Sequence, residues 1–202
     1  SSLNLTPLVN LTYLDCHSNQ LSSLNIDSLV NLHDIDCGQN SISNLNLTNQ
    51  ANLTFLACAD NQLTALNISN LLNLTDLICP NNQLSTIDLS NLGYLIRINV
   101  GDNLFTSIDL SNTGLNISPS TNAPIYNFNS NPNLTYINMK NGHNIYFLNS
   151  SMFVNCPNLA YICIQDQYIQ IIQQLLQSEN ITNVQVNSYC NFVPGGVNNS
   201  IT

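Results

Sequence analysis

Leu53-Thr54-Phe55-Leu56-Ala57-Cys58-Ala59-Asp60-Asn61-Gln62-Leu63-Thr64-Ala65-Leu66-Asn67-Ile68 decides the fold, because the chain writes the same line again and again. Shifted in steps of 21, Cys58 falls on Cys16, Cys37 and Cys79, and Asn61 falls on Asn19, Asn40, Asn82 and Asn103. Leu56 coincides with Leu14, Ile35, Leu77 and Ile98, and Leu66 with Leu24, Leu45, Ile87 and Ile108. A fixed period near 20 marks a stacked solenoid, in which one unit cannot bury its apolar side until its neighbours cover it. Both halves of the unit alternate apolar and polar residues, which suits extended segments and not a helix. A chain that turns tightly out of a buried strand leaves N–H and C=O groups unpaired, and the Asn19, Asn40, Asn61, Asn82 and Asn103 amides can donate and accept there.

The line Leu-x-x-Leu-x-Cys-x-x-Asn-x-Leu followed by x-x-Leu-x-Leu resembles the leucine-rich repeat family, and within it the 21-residue bacterial class called IRREKO. The resemblance implies an α/β-type leucine-rich repeat solenoid that is mostly β. It would be a right-handed coil with a parallel concave sheet, extended convex segments and one C-terminal helix. Tyr161-Ile162-Cys163, a helical stretch and Val186-Asn187-Ser188-Tyr189-Cys190 also look like the close of repeat arrays in secreted surface proteins of Bacteroidetes-type bacteria. That likeness implies export by the type IX route.

Along the chain, residues 1–113 read as regular repeats that start mid-unit, since Leu3-Asn4-Leu5 aligns with Leu24-Asn25-Ile26. The period breaks at 114–133, where Pro119, Pro124 and Pro132 suggest an insertion loop. Strands are expected to return at 134–139, 159–164 and 181–186 in an irregular cap that runs to 190, and 191–202 reads as a linker to a further domain. Ile169, Ile172, Leu175 and Leu176 stand at helical spacing behind Asp166 as N-cap, which predicts a helix over about 167–178.

The 202 residues are 44% hydrophobic, with no apolar run long enough to span a bilayer. Arg97 and Lys140 are the whole basic complement against 11 acids, a formal charge of −9. Nucleic acid and anionic membranes are therefore poor partners. Sequences such as Asn52-Leu53-Thr54, Asn73-Leu74-Thr75 and Asn133-Leu134-Thr135 match glycosylation acceptors, but the repeat itself writes them.

If the buried strand positions follow the period, the residues between them share one outward face. Tyr13, Asp15, His17, Asp34, Asp36, Phe55, Asp76, Arg97, Asn99 and Tyr136 then form a candidate ligand-binding surface, acidic and aromatic. A solvated face that keeps the array soluble and a calcium site are alternative readings of the same acids. Exposed rings beside hydrogen-bonding groups suit a protein epitope or a sugar face. The expected function is a non-enzymatic extracellular binding or adhesion module for a protein ligand, acting as a monomer. A polysaccharide or glycan ligand is the alternative, and an ice-binding surface built on Ser22, Ser43, Thr64, Ser85 and Thr106, or a structural spacer, the remote ones. His17, His33 and His143 are isolated, so no catalytic residue is assigned, and no cofactor. Without Cys-x-x-Cys or paired-histidine spacing, no metal ligand is assigned either. The ladder cysteines read as small buried hydrophobes with reduced thiols. Cys156, Cys163 and Cys190 lie outside that ladder, and Cys163 with Cys190 is the disulfide expected of a cap in an oxidising compartment.

Overall fold

The computed structural model describes residues 3–114, 126–142 and 150–190. The regular coils contribute β1 Tyr13–Asp15, β2 Asp34–Asp36, β3 Phe55–Ala57, β4 Asp76–Ile78 and β5 Arg97–Asn99. They are followed by β6 Ser107–Asp109, β7 Tyr126–Asn127, β8 Tyr136–Asn138 and β9 Tyr161–Cys163, then α1 Ile169–Ser178 and β10 Gln185–Asn187. Every strand pairing is parallel. Among the described residues the result is a mostly β solenoid with one short helix.

Two sheets run along it. The first has the order β1-β2-β3-β4-β5-β7 and aligns Leu14, Ile35, Leu56, Leu77, Ile98 and Tyr126, all buried. The second has the order β6-β8-β9-β10 and aligns Ile108, Ile137, Ile162 and Val186. Its row begins earlier, at the Leu24–Leu45 bridge, so it is the second half of each coil. Between the two rows lies one continuous core, with Cys37, Cys58, Cys79, Val100 and Phe128 in successive coils and wholly buried.

The strands of 134–139 and 159–164 therefore do not return to the first sheet. They continue the second, because Leu134-Thr135-Tyr136-Ile137-Asn138-Met139 matches the second half of a coil, where Ile108 and Leu110 stand. The first-sheet position of that coil falls to Tyr126–Asn127, inside the stretch read as an insertion. In the next coil a 3-10 turn, Ser150–Phe153, takes the strand's place: Phe128 N–H donates to the Met152 carbonyl at 3.1 Å. The helix α1 packs on that turn and on β10, burying Ile172 and Leu176. Asp166 does not cap it. Asp166 lies in a 3-10 turn, Asp166–Tyr168, that leads into the helix, whose N-cap position is held by Tyr168 without a side-chain capping hydrogen bond.

The asparagine ladder ties each coil to the one before. Asn61 Nδ2 donates to the carbonyls of Cys58 (3.2 Å) and Ala59 (3.1 Å) in its own coil and of Cys37 (3.0 Å) in the preceding one. Its Oδ1 accepts the N–H of Ile42 at 2.9 Å, again one coil back. Asn40, Asn82 and Asn103 repeat all four bonds. Asn131 adds a rung that the broken period had hidden. One coil later the slot holds Cys156, whose Sγ lies 3.3 Å from the Phe128 carbonyl. The residue before each slot, from Ser18 and Gln39 to Ser130 and Asn155, is left-handed at φ 51–59°.

Asn61→Ala strands the Ile42 N–H in a part-buried turn and leaves the Cys37 carbonyl with Asn40 as its only amide partner, and should lower unfolding stability by about 1–3 kcal/mol in urea titrations. Asn19→Ala removes bonds within its own coil, to Cys16 and His17, and should cost less than about 1 kcal/mol. Equal losses would show that inter-coil bonding is not what the ladder contributes.

Burial raises the Cys37 thiol to about 12 and the Cys16 thiol to about 11, and pushes Cys156 up as well. Between the ordinary thiol value and these values, the unfolded chain loses protons that the folded one keeps. The contribution of these thiols to stability should thus be constant below about pH 9 and fall above it, by up to about 1.4 kcal/mol per pH unit for each such thiol. Cys37→Val, which copies the Val100 coil, should make that fall shallower in melts from pH 7 to 10.5.

Candidate functional site

The central residue of each first-sheet strand points into the core, which leaves two rows on its outward side. One row sets Tyr13, Asp34, Phe55, Asp76 and Arg97 in register, and the other Asp15, Asp36, Ala57, Ile78 and Asn99. Neighbouring members stand one strand spacing apart, about 4.8 Å.

The second row begins a tight turn, and its polar side chains serve that turn. Asp36 Oδ1 accepts the Gly38 N–H at 2.9 Å, and Asn99 Oδ1 accepts that of Gly101 at 3.2 Å. Asp15 Oδ1 accepts the His17 N–H at 3.0 Å and faces its ring Nδ1 at 3.3 Å. The backbone bond is the main reason the Asp15 carboxyl lies below the usual carboxylate range. These groups hold the chain's exit from the strand, an Asx turn.

The first row is chemically split along its length. Asp76 is buried, takes the Thr75 hydroxyl on Oδ2 at 2.7 Å and forms an ion pair with Arg97 Nε. Asp34 is half-buried and has the Thr54 hydroxyl at 3.4 Å. Tyr13 is 57% exposed, and the negative charge of Asp15 above all raises its phenol, with burial and Asp36 adding to the effect. Uncompensated acid and open aromatic surface thus collect over β1 to β3, whereas β4 and β5 neutralise themselves.

Tyr136 does not belong to this face. It lies in the second sheet, in register with Ser107 and Tyr161, because Leu134–Met139 reads like a first-half segment but occupies the second half of its coil. There its ring stacks on Tyr161 with centroids 5.8 Å apart, and its hydroxyl donates to the Cys190 carbonyl at 3.1 Å. Cys163 and Cys190 are bonded, with Cα atoms 5.3 Å apart, and Lys140 Nζ donates to the Ser188 carbonyl at 2.8 Å. The Tyr161 hydroxyl bonds to Asn187 Oδ1 and to the Tyr189 carbonyl. The segment after β10 is thereby fastened over the outward side of the second sheet. Cys16, Cys37, Cys58, Cys79 and Cys156 are free and buried, and His143 lies outside the described residues.

A separate open cavity of about 530 Å³ lies near the end of the array, between Pro132, Phe153, Cys156, Ile181 and Val184, and shares no residue with the acidic rows. Among the described residues no three His, Cys, Asp or Glu side chains are grouped to hold a metal ion, and no helix is long and apolar enough to cross a membrane.

A scan against protein-family models finds no match, and a search of curated proteins finds none. Solved structures do match. The functional domain of InlJ from Listeria monocytogenes, which includes a cysteine ladder, is 26% identical, with a TM-score of 0.54 over 91% of this chain. This chain spans 46% of that one's length. A leucine-rich repeat protein of Leptospira interrogans is 18% identical over 90% of this chain and 56% of its own, with a TM-score of 0.47. An internalin, InlF, from Listeria monocytogenes is 15% identical over 90% and 88%, with a TM-score of 0.42. With its parallel strands, its asparagine rungs and its own row of buried cysteines, the chain has the fold of a leucine-rich repeat solenoid.

Proposed function

We propose that this chain is a non-enzymatic recognition module that binds a protein ligand through the outward face of the first sheet, centred on β1 to β3. The observation that carries this reading is the uneven chemistry of that face. Tyr13, Asp15, Asp34, Asp36 and Phe55 present rings and carboxylates in two registered rows, while Asp76 is already matched by Arg97. Aromatic anchors beside uncompensated charge are what protein hot spots use, and fixed acids steer a basic partner. The likeness to the InlJ functional domain supports recognition over catalysis. So does the setting of the Asp15–His17 contact, whose side chains are 42% and 52% exposed and so keep no water out.

In this reading the module is extracellular or at the cell surface and works as a monomer. Its 21-residue units support an assignment to the IRREKO-like class, and the likeness of its closing segment supports kinship with surface proteins of Bacteroidetes-type bacteria that use type IX secretion. Residues 1–113 are the recognition array and 134–190 its cap. A glycan ligand is the second reading, favoured by the exposure of Tyr13.

Probing a surface-protein extract and a glycan array with the same protein separates the two. A protein ligand should bind more weakly as salt rises and lose most of its affinity to Asp34→Asn combined with Asp36→Asn. A glycan ligand should be nearly indifferent to salt and be lost with Tyr13→Ala or Phe55→Ala. Binding that survives all four substitutions would place the ligand elsewhere on the molecule.

A further inference from the structure

The chain has two Lys and Arg residues in all, and both are committed. Arg97 sits on Asp76, and Lys140 donates to the Ser188 carbonyl beside the disulfide. The first row of the sheet therefore contains one aspartate that has received a guanidinium and one that has not. Asp76 has Phe55 in register on one side and Arg97 on the other. Asp34 has Tyr13 on one side and Phe55 on the other. The same backbone geometry thus presents an occupied carboxylate and, two coils earlier, a carboxylate whose place for a cation is bordered by aromatic rings.

Resting on the recognition reading above, we propose that Asp34, between Tyr13 and Phe55, receives an arginine or lysine side chain of the protein ligand. Strands about 4.8 Å apart put a ring one coil to each side of the carboxylate. A cation set on Asp34 then lies within reach of both rings, about 6 Å being the range over which ring quadrupoles attract positive charge. The Thr54 hydroxyl, 3.4 Å from Asp34 Oδ1, leaves the second oxygen to a planar guanidinium or an ammonium. Asp15 and Asp36 draw positive charge toward the face, but each already accepts a turn N–H and lacks the flanking pair of rings. Asp34 is thus the anchoring acid and the other two are steering charges.

N-acetyl-arginine amide, with N-acetyl-norleucine amide as the uncharged control, tests this by NMR titration of the intact chain. The expected result is saturable shifts centred on Tyr13, Asp34 and Phe55 with the arginine probe and none with norleucine. Asp34→Asn should weaken the arginine probe by about tenfold or more, and Asp15→Asn by less than about twofold. Tyr13 is exposed, so Tyr13→Leu keeps the fold and should still weaken binding severalfold through loss of the ring. Shifts that grow linearly and spread over all the acids, or equal losses from Asp15→Asn and Asp34→Asn, would overturn the proposal. A protein ligand whose affinity ignores Asp34→Asn would overturn this anchor and leave the recognition face standing. Saturable arginine binding with no protein ligand on the face would do the reverse.

Discussion

A coil that must reverse direction every few residues cannot satisfy its own peptide groups, and this constraint shapes the whole molecule. At the corner after each first-sheet strand the backbone enters a left-handed residue, and a side-chain amide supplies what the main chain lacks. Asparagine suits the slot because a short amide offers a donor and an acceptor from one rigid plane. Once the corner is fixed, the positions that point inward are fixed with it. Leucine, isoleucine and cysteine then fill a core no wider than the coil allows.

The ladder was legible in the sequence because period and chemistry coincide: each Asn from Asn19 to Asn103 follows a small buried residue by three places and precedes a core leucine, isoleucine or, after Asn103, phenylalanine by two. The later coils were harder to read for a physical reason. Both halves of a coil spell Leu-x-x-Leu-x-Leu, since both are extended and half-buried, so the spelling tells where a strand lies but not which sheet it joins. Residues 114–125 break the count, and Leu134–Met139 thus spells a first-sheet strand while standing in the second sheet, taking Tyr136 with it. The same loss of phase concealed Asn131 and the substitution of Cys156 for an amide.

The candidate face was legible in position but not in chemistry. Periodicity puts Asp15 and Asp36 in one row, and they appear there as a pair of like charges. What the count could not reveal is that each carboxylate accepts an N–H two residues on, so that these acids are partly turn-formers. Nor could it show that Arg97 cancels Asp76, which shifts the centre of negative charge toward the first coils. Spacing along a solenoid is set by the backbone, whereas partnership depends on side chains that reach across coils.

The rungs also have a direction. Asn61 serves Cys37 and Ile42 in the coil before it, and nothing in that bond serves the coil after. As far as these rungs go, a coil's corner is completed by its successor and not by its predecessor. The two ends of such an array are not equivalent: the leading end exposes an amide that water can satisfy, and the trailing end exposes peptide groups at a corner that water must reach. Cys156, the turn Ser150–Phe153 and α1 stand at that trailing end.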